Sequence, residues 1–97
     1  MTGIFDSHSH YDDDAFDTDR DELLDGLLKE GGVEKIIHAC AKFDDALSGV
    51  LMSEKYDYIY SSVGVHPEEC DNLPENYISV LRDIATSHKK VVAIGEI

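Results

Sequence analysis

Tryptophan is absent from this 97-residue sequence, and cysteine and proline occur only twice each. Cys40 and Cys70 lie far apart with no CxxC pair, so no disulfide framework or zinc ribbon is written here. A reducing, cytoplasmic setting is the expectation. No apolar run approaches the ~18 residues of a membrane span. The opening Thr2-Gly3-Ile4-Phe5-Asp6 lacks the basic start and long apolar stretch of a signal peptide. No membrane partner is expected. Basic residues are also scarce: 8 Lys and Arg stand against 21 Asp and Glu, for a net charge of −13. A polyanion is ordinarily held by clustered Lys and Arg that release its counterions, and here they are few and scattered. That excludes broad electrostatic capture of nucleic acid. A phosphodiester would have to be handled through a bound metal or through residues supplied from elsewhere. The excess negative charge otherwise serves solubility.

Glycine-rich phosphate loops are missing as well. Neither GxGxxG nor GxxxxGK occurs, which argues against a nucleotide-binding sheet. What is present is 42% hydrophobic residues, enough for one packed domain in a chain too short for two. Four apolar, β-branched runs read as buried strands: Ile4-Phe5, Lys35 to Ala41, Ile59 to Val65 and Val91 to Ile94. Their continuous apolar character suits strands covered on both faces. Three amphipathic stretches separate them. Residues 19–30 carry Leu23, Leu24, Leu27 and Leu28 on one face, with Thr18 or Asp19 as cap and Gly31-Gly32 as stop. Residues 44–55 repeat the spacing with Ala46, Leu47, Val50 and Leu51. Residues 74–88 turn Tyr77, Ile78, Leu81, Ile84 and Ala85 inward, with Asn72 placed to cap and Pro74 in the first turn. Strands alternating with helices through short connections predict right-handed βαβ crossovers and an α/β fold with a parallel sheet.

The chemistry-bearing residues follow from that topology. His8 and His10 form an H-x-H pair at the end of the first strand, and in extended backbone residues i and i+2 point the same way. Neutral imidazole is the commonest metal ligand. In a parallel sheet the C-terminal ends of all strands share one edge, where sites form. His66 in Gly64-Val65-His66-Pro67 follows the third strand, and Glu96 in Gly95-Glu96-Ile97 follows the fourth. Separate parts of the sequence therefore deliver imidazole and carboxylate to one rim, a partial site for a divalent metal.

Ile4-Phe5-Asp6-Ser7-His8-Ser9-His10-Tyr11-Asp12, followed by Phe16-Asp17-Thr18-Asp19-Arg20, resembles the opening of the TatD-like metal-dependent deoxyribonucleases. Gly64-Val65-His66-Pro67 and Ala93-Ile94-Gly95-Glu96-Ile97 are similar to that family's later signatures, in the same order and spacing, so the likeness spans the whole chain. The resemblance implies a (β/α)8 barrel hydrolase that cleaves DNA phosphodiesters with metal-activated water. It implies two divalent cations (Zn, Mn, Mg or Co), with His8, His10 and Glu96 as ligands and Glu96 shared between the ions as the catalytic carboxylate. His66 is implied as a contact to substrate phosphate. Related hydrolases on this scaffold act on amides, esters or lactones, and an inactive half-barrel that binds metal or another copy of itself is a further alternative. Such barrels run to about 250 residues, and the resemblance implies two further histidines and an aspartate from later strands. Residues 1–97, with four strands and three helices, are expected to be the N-terminal half of one barrel domain. Four strands do not close a barrel, so the isolated chain is expected to be weakly stable, aggregation-prone or self-paired.

The acidic run Asp12, Asp13, Asp14, Asp17, Asp19, Asp21, Glu22 and Asp25 does not fit a calcium loop. Counting from Asp17, position six is Glu22 and position twelve is Leu28, where glycine and glutamate are needed. It reads as a solvated loop and helix start, except that Asp12 directly follows H-x-H and is placed to orient a histidine from behind. Asp6 either does the same or bonds backbone at the strand end. His38 and Cys40 sit on the second strand, Cys40 as buried packing. Cys70 and Asp71 fall in a turn, and His88 reads as a surface residue at a helix end.

Overall fold

The β-branched runs form strands, displaced by a few residues from where composition alone puts them. A computed structural model describes residues 2–97. Strands β1 (Ile4–Ser9), β2 (Val33–His38), β3 (Ile59–Val63) and β4 (Val91–Ile94) alternate with helices α1 (Arg20–Lys29), α2 (Ala46–Lys55) and α3 (Tyr77–Ser87). All neighbouring strands pair in parallel, in the order β1-β2-β3-β4. The parallel pairing is what the alternation predicts, and the arrangement is that of the first half of a (β/α)8 barrel, as the resemblance implies. No helix among the described residues is long and apolar enough to cross a membrane.

The strand ends are where the site forms. β1 runs beyond Phe5 as far as Ser9, so His8 is part of the strand and His10 follows it directly. β2 stops at His38, short of the expected Ala41, because the backbone there changes partners. The Ala39 N–H donates to the Ser9 carbonyl at 2.9 Å, and the Cys40 N–H turns to the Ser62 hydroxyl at 3.2 Å. β3 likewise ends at Val63, just before Gly64.

Two apolar clusters join the helices to the sheet, one of Leu24, Ile36 and Ile59, the other of Cys40, Ala46 and Val63. Leu81, Ile84 and Ala85 of α3 pack against the second cluster together with Val91. Helix faces differ from the expectation in three places. Leu28, Leu47, Leu51 and Ile78 are exposed. The buried stripe of α2 is Ala46, Gly49, Val50 and Ser53, all small or short, because the His38 ring lies beneath it and takes the space a leucine would need. Residues 43–45 form a 3₁₀ turn, so α2 begins at Ala46 rather than at residue 44. Asn72 sits at φ 61° in a left-handed turn and does not cap α3, which starts after Asn76. Asp19 precedes α1 without a side-chain capping bond. The Arg20 guanidinium organises that corner instead, donating to the carbonyls of Tyr11 at 2.5 Å and Asp13 at 2.9 Å. Only β3 is covered nearly throughout. The edge strands leave Phe5 on β1 and Val92 and Ile94 on β4 exposed.

Candidate metal centre at the C-terminal strand edge

His8 and His10 share a face because they are two residues apart at the end of β1. Their Nε2 atoms are 3.2 Å apart and the rings meet edge to face. Glu96, just past β4, reaches the same point across the sheet. Its Oε1 lies 3.5 Å from His8 Nε2 and its Oε2 lies 3.8 Å from His10 Nε2. One ligand atom from each of the three residues falls within 4.8 Å of the others. Bonds of ~2.0–2.2 Å to a single tetrahedral ion put ligand atoms ~3.3–3.6 Å apart, so these separations fit a divalent cation. Two imidazoles with a carboxylate also match the donor chemistry of Zn, Mn or Co. Both histidines are exposed and Glu96 is partly buried, leaving the site open on one side.

Glu96 is held there by its backbone. The Gly95 N–H donates to the Val63 carbonyl at 2.9 Å, and the Glu96 N–H donates to the Cys40 carbonyl at 2.7 Å. Between them the Ser62 hydroxyl donates to the Gly95 carbonyl at 2.9 Å while accepting from the Cys40 N–H. Three strand ends are thereby tied to one buried oxygen. Gly64 completes the fit, since a Cβ there would lie 2.7 Å from the Gly95 carbonyl carbon and 3.0 Å from the Glu96 backbone carbonyl oxygen. Sequence reading missed Ser62 and the role of Gly64. The signal was available in Ser61-Ser62, two polar residues inside an otherwise apolar strand.

His66 stands at the same edge but outside the three-residue cluster. Its Nδ1 accepts the Glu68 N–H at 3.1 Å. In the neutral ring the proton then resides on Nε2, which makes this nitrogen a donor suited to an anion rather than a free lone pair for metal. Asp6 accepts the His8 N–H at 3.2 Å and the Tyr11 hydroxyl at 3.3 Å, so it fixes backbone and loop rather than an imidazole. Burial and the nearby Asp6 carboxylate raise the Tyr11 pKa, which keeps that hydroxyl a donor. Among the described residues, Asp12 makes no hydrogen bond or ion pair with His8 or His10. Its Oδ1 lies 3.5 Å from His38 Nδ1 instead. Burial lowers the His38 pKa, against the pull of Asp12, and keeps the ring neutral. Cys40 is buried as expected, and burial raises its thiol pKa, so it holds no thiolate. Cys70 is exposed.

Comparison with known proteins points the same way as the geometry. The family model described as TatD related DNase matches residues 5–97. The chain is 32% identical over 93 residues to YabD of Bacillus subtilis, an uncharacterized metal-dependent hydrolase, covering 96% of this chain and 36% of that protein. It is 27% identical to the 3'-5' ssDNA/RNA exonuclease TatD of Cronobacter sakazakii, covering 96% of this chain and 35% of that one. The crystal structure of YjjV, a TatD homolog from Escherichia coli K12, superposes with a TM-score of 0.86 at 27% identity, covering 97% of this chain and 36% of that structure. The chain thus spans about a third of the length of the relatives it matches.

Proposed function

Since this chain belongs to the family of TatD related DNases, we propose that it supplies the first metal ligands of a hydrolase that cleaves phosphodiester bonds of single-stranded DNA or RNA. The observation that carries this reading is the convergence of His8, His10 and Glu96 within 4.8 Å at the edge where parallel-sheet sites form. On this reading residues 1–97 are the N-terminal half of one barrel domain, and a nuclease is preferred because a relative is named a 3'-5' ssDNA/RNA exonuclease.

Divalent cations bound here would lower the pKa of coordinated water and offset charge on the phosphoryl oxygens. The residues of the chain do the rest. His8 and His10 present Nε2 toward the centre. Glu96 turns one carboxylate oxygen toward each imidazole, an arrangement suited to sharing between two ions. His66 offers its Nε2–H to a phosphate oxygen. Cationic side chains contribute little to substrate binding. Arg20, Lys29 and Lys55 are paired with Asp17, Asp25 and Asp21, Lys90 donates to the carbonyls of Ser53 and Tyr56, and Lys35 lies over the Tyr60 ring. Five of the eight basic residues thus have partners within the chain, and of the other three only Lys42 lines the cavity that His10 borders, so metal and His66 are the principal phosphate-recognising groups on this reading.

The reading is tested on the full-length protein with a 3'-labelled single-stranded oligonucleotide. Nucleotide release is expected to stop on chelation and to return with added Mn, Zn, Mg or Co. Turnover indifferent to chelator, or faster on a carboxylic ester or lactone than on DNA, would overturn it. Ser62→Ala tests the support of Glu96. Residues that orient metal ligands from behind are worth ~10–100-fold in affinity, so metal affinity is expected to fall by about tenfold or more, measured by competition with a chromogenic chelator. Unchanged affinity would show that the Ser62–Gly95 bond does not hold the ligand in place.

A further inference from the structure

A second group of polar residues lies behind the rim, in a cavity of about 460 Å³ walled by His10, Asp12, Asp13, Lys42, Asp45 and Ser48. His38 closes its floor. That side chain is 2% exposed, and neither ring nitrogen has a hydrogen-bond partner. Buried polar atoms are almost always partnered, and leaving one unpaired costs about 1–3 kcal/mol. An N–H donor would bring Asp12 Oδ1 to ~2.7–3.2 Å from Nδ1, yet the two atoms are 3.5 Å apart. The gap is too long for a hydrogen bond and close to the ~3.4 Å between two ligand atoms that share one tetrahedral ion at ~2.1 Å.

The Asp12 carboxylate is free for such a role, since Arg20 takes only the carbonyl of that residue, at 3.3 Å. Asp13 spends one oxygen on the Ala15 N–H at 2.9 Å, and Asp45 adds a further negative charge to the wall. Four carboxylates, those of Asp12, Asp13, Asp14 and Asp45, face one ammonium, that of Lys42, around this cavity. In a partly desolvated space that balance favours a cation.

We propose that this cavity is a second divalent-cation site, adjoining the rim cluster at His10 but using other ligands, in which His38 Nδ1 and Asp12 Oδ1 are the protein ligands and zinc-like ions are the class bound. Water fills the remaining positions from the open side of the cavity. A mixed imidazole and carboxylate pair suits zinc or cobalt rather than calcium, which takes oxygen alone.

The test reads His38 itself, so that its outcome is independent of any activity of the rim. Histidine side chains are labelled with ¹⁵N in a His8→Ala/Glu96→Ala variant of the full-length protein, which removes two rim ligands and keeps the His10 wall of the cavity, and zinc chloride is added. The His38 Nδ1 resonance is expected to move and saturate with binding, and Asp12→Asn in the same background is expected to weaken that transition at least tenfold. Asp12 is partly exposed, so its substitution leaves the core intact. A His38 resonance that does not respond to zinc overturns the proposal and identifies the occupant as water or a relaxed hydrogen bond to Asp12. A response equally strong in Asp12→Asn overturns the assignment of Asp12 as ligand.

Discussion

On the proposed function, replacing Glu96 by alanine in the full-length protein is expected to abolish phosphodiester hydrolysis while leaving the protein folded. The two halves of that expectation rest on different bonds. Position 96 is fixed by main-chain contacts, its N–H on the Cys40 carbonyl at 2.7 Å and the preceding Gly95 held by Val63 and Ser62. Alanine keeps all of these. The carboxylate oxygens lie 3.5 and 3.8 Å from two exposed imidazoles at the sheet edge, away from the apolar clusters, so their loss costs little stability. What disappears is the one negative ligand of the cluster. A metal ion contributes several kcal/mol of charge stabilisation in the transition state, and ~4 kcal/mol corresponds to about a thousandfold in rate. Turnover of single-stranded DNA should therefore fall at least about a thousandfold, with the unfolding midpoint unchanged. Metal content measured on the same preparation separates two routes to that loss, weakened binding of the ion and an ion retained but inactive. Retained turnover at normal metal loading would remove Glu96 from the site.

His8, His10 and Glu96 were legible in the sequence because their convergence depends on topology alone. Once strands alternate with helices and pair in parallel, everything just after a strand arrives at one edge, whatever the helices bury. The features that depend on packing detail were not legible. In residues 46–53, two helix faces compete: one carries Leu47 and Leu51, the other Ala46, Gly49, Val50 and Ser53. Ranking by hydrophobicity mixes the two faces, whereas the sheet selects the smaller set because it presents His38. The contact of Asp12 with His38 follows from the same packing and so was invisible as well. Asn72 was misassigned for a different reason. Asparagine suits both a helix cap and a left-handed turn, and φ 61° at this residue shows that the turn takes it.

The fit of α2 on β2 leads to the second large effect, at Gly49. Glycine inside a helix is about 1 kcal/mol worse than alanine, so Gly49→Ala would stabilise the protein if propensity alone decided. The structure demands the opposite. A Cβ at this position would collide with Cδ2 of the His38 ring and would lie 2.7 Å from its Nε2 and 2.8 Å from the Ser61 hydroxyl. Both His38 and Ser61 are buried, and a ring pushed away from α2 would be driven toward Asp12, whose Oδ1 is already 3.5 Å from Nδ1. The helix must lift from the sheet instead, loosening Val50 and Ala46 with it. Overpacking of this kind costs about 1–3 kcal/mol and at times more. With about 1 kcal/mol returned by helix propensity, the net expectation is a loss of about 1–2 kcal/mol, read as a lower urea midpoint with an unchanged slope. If the collision with His38 is the cause, His38→Ala should relieve it, and the double variant should be more stable than the sum of the single effects by about 1–3 kcal/mol, the coupling found between residues in contact. A Gly49→Ala protein more stable than its parent would mean that α2 does not sit on the His38 ring. The His38–Asp12 geometry behind the rim would then have to be abandoned with it, while the cluster of His8, His10 and Glu96, built on strand ends alone, would stand.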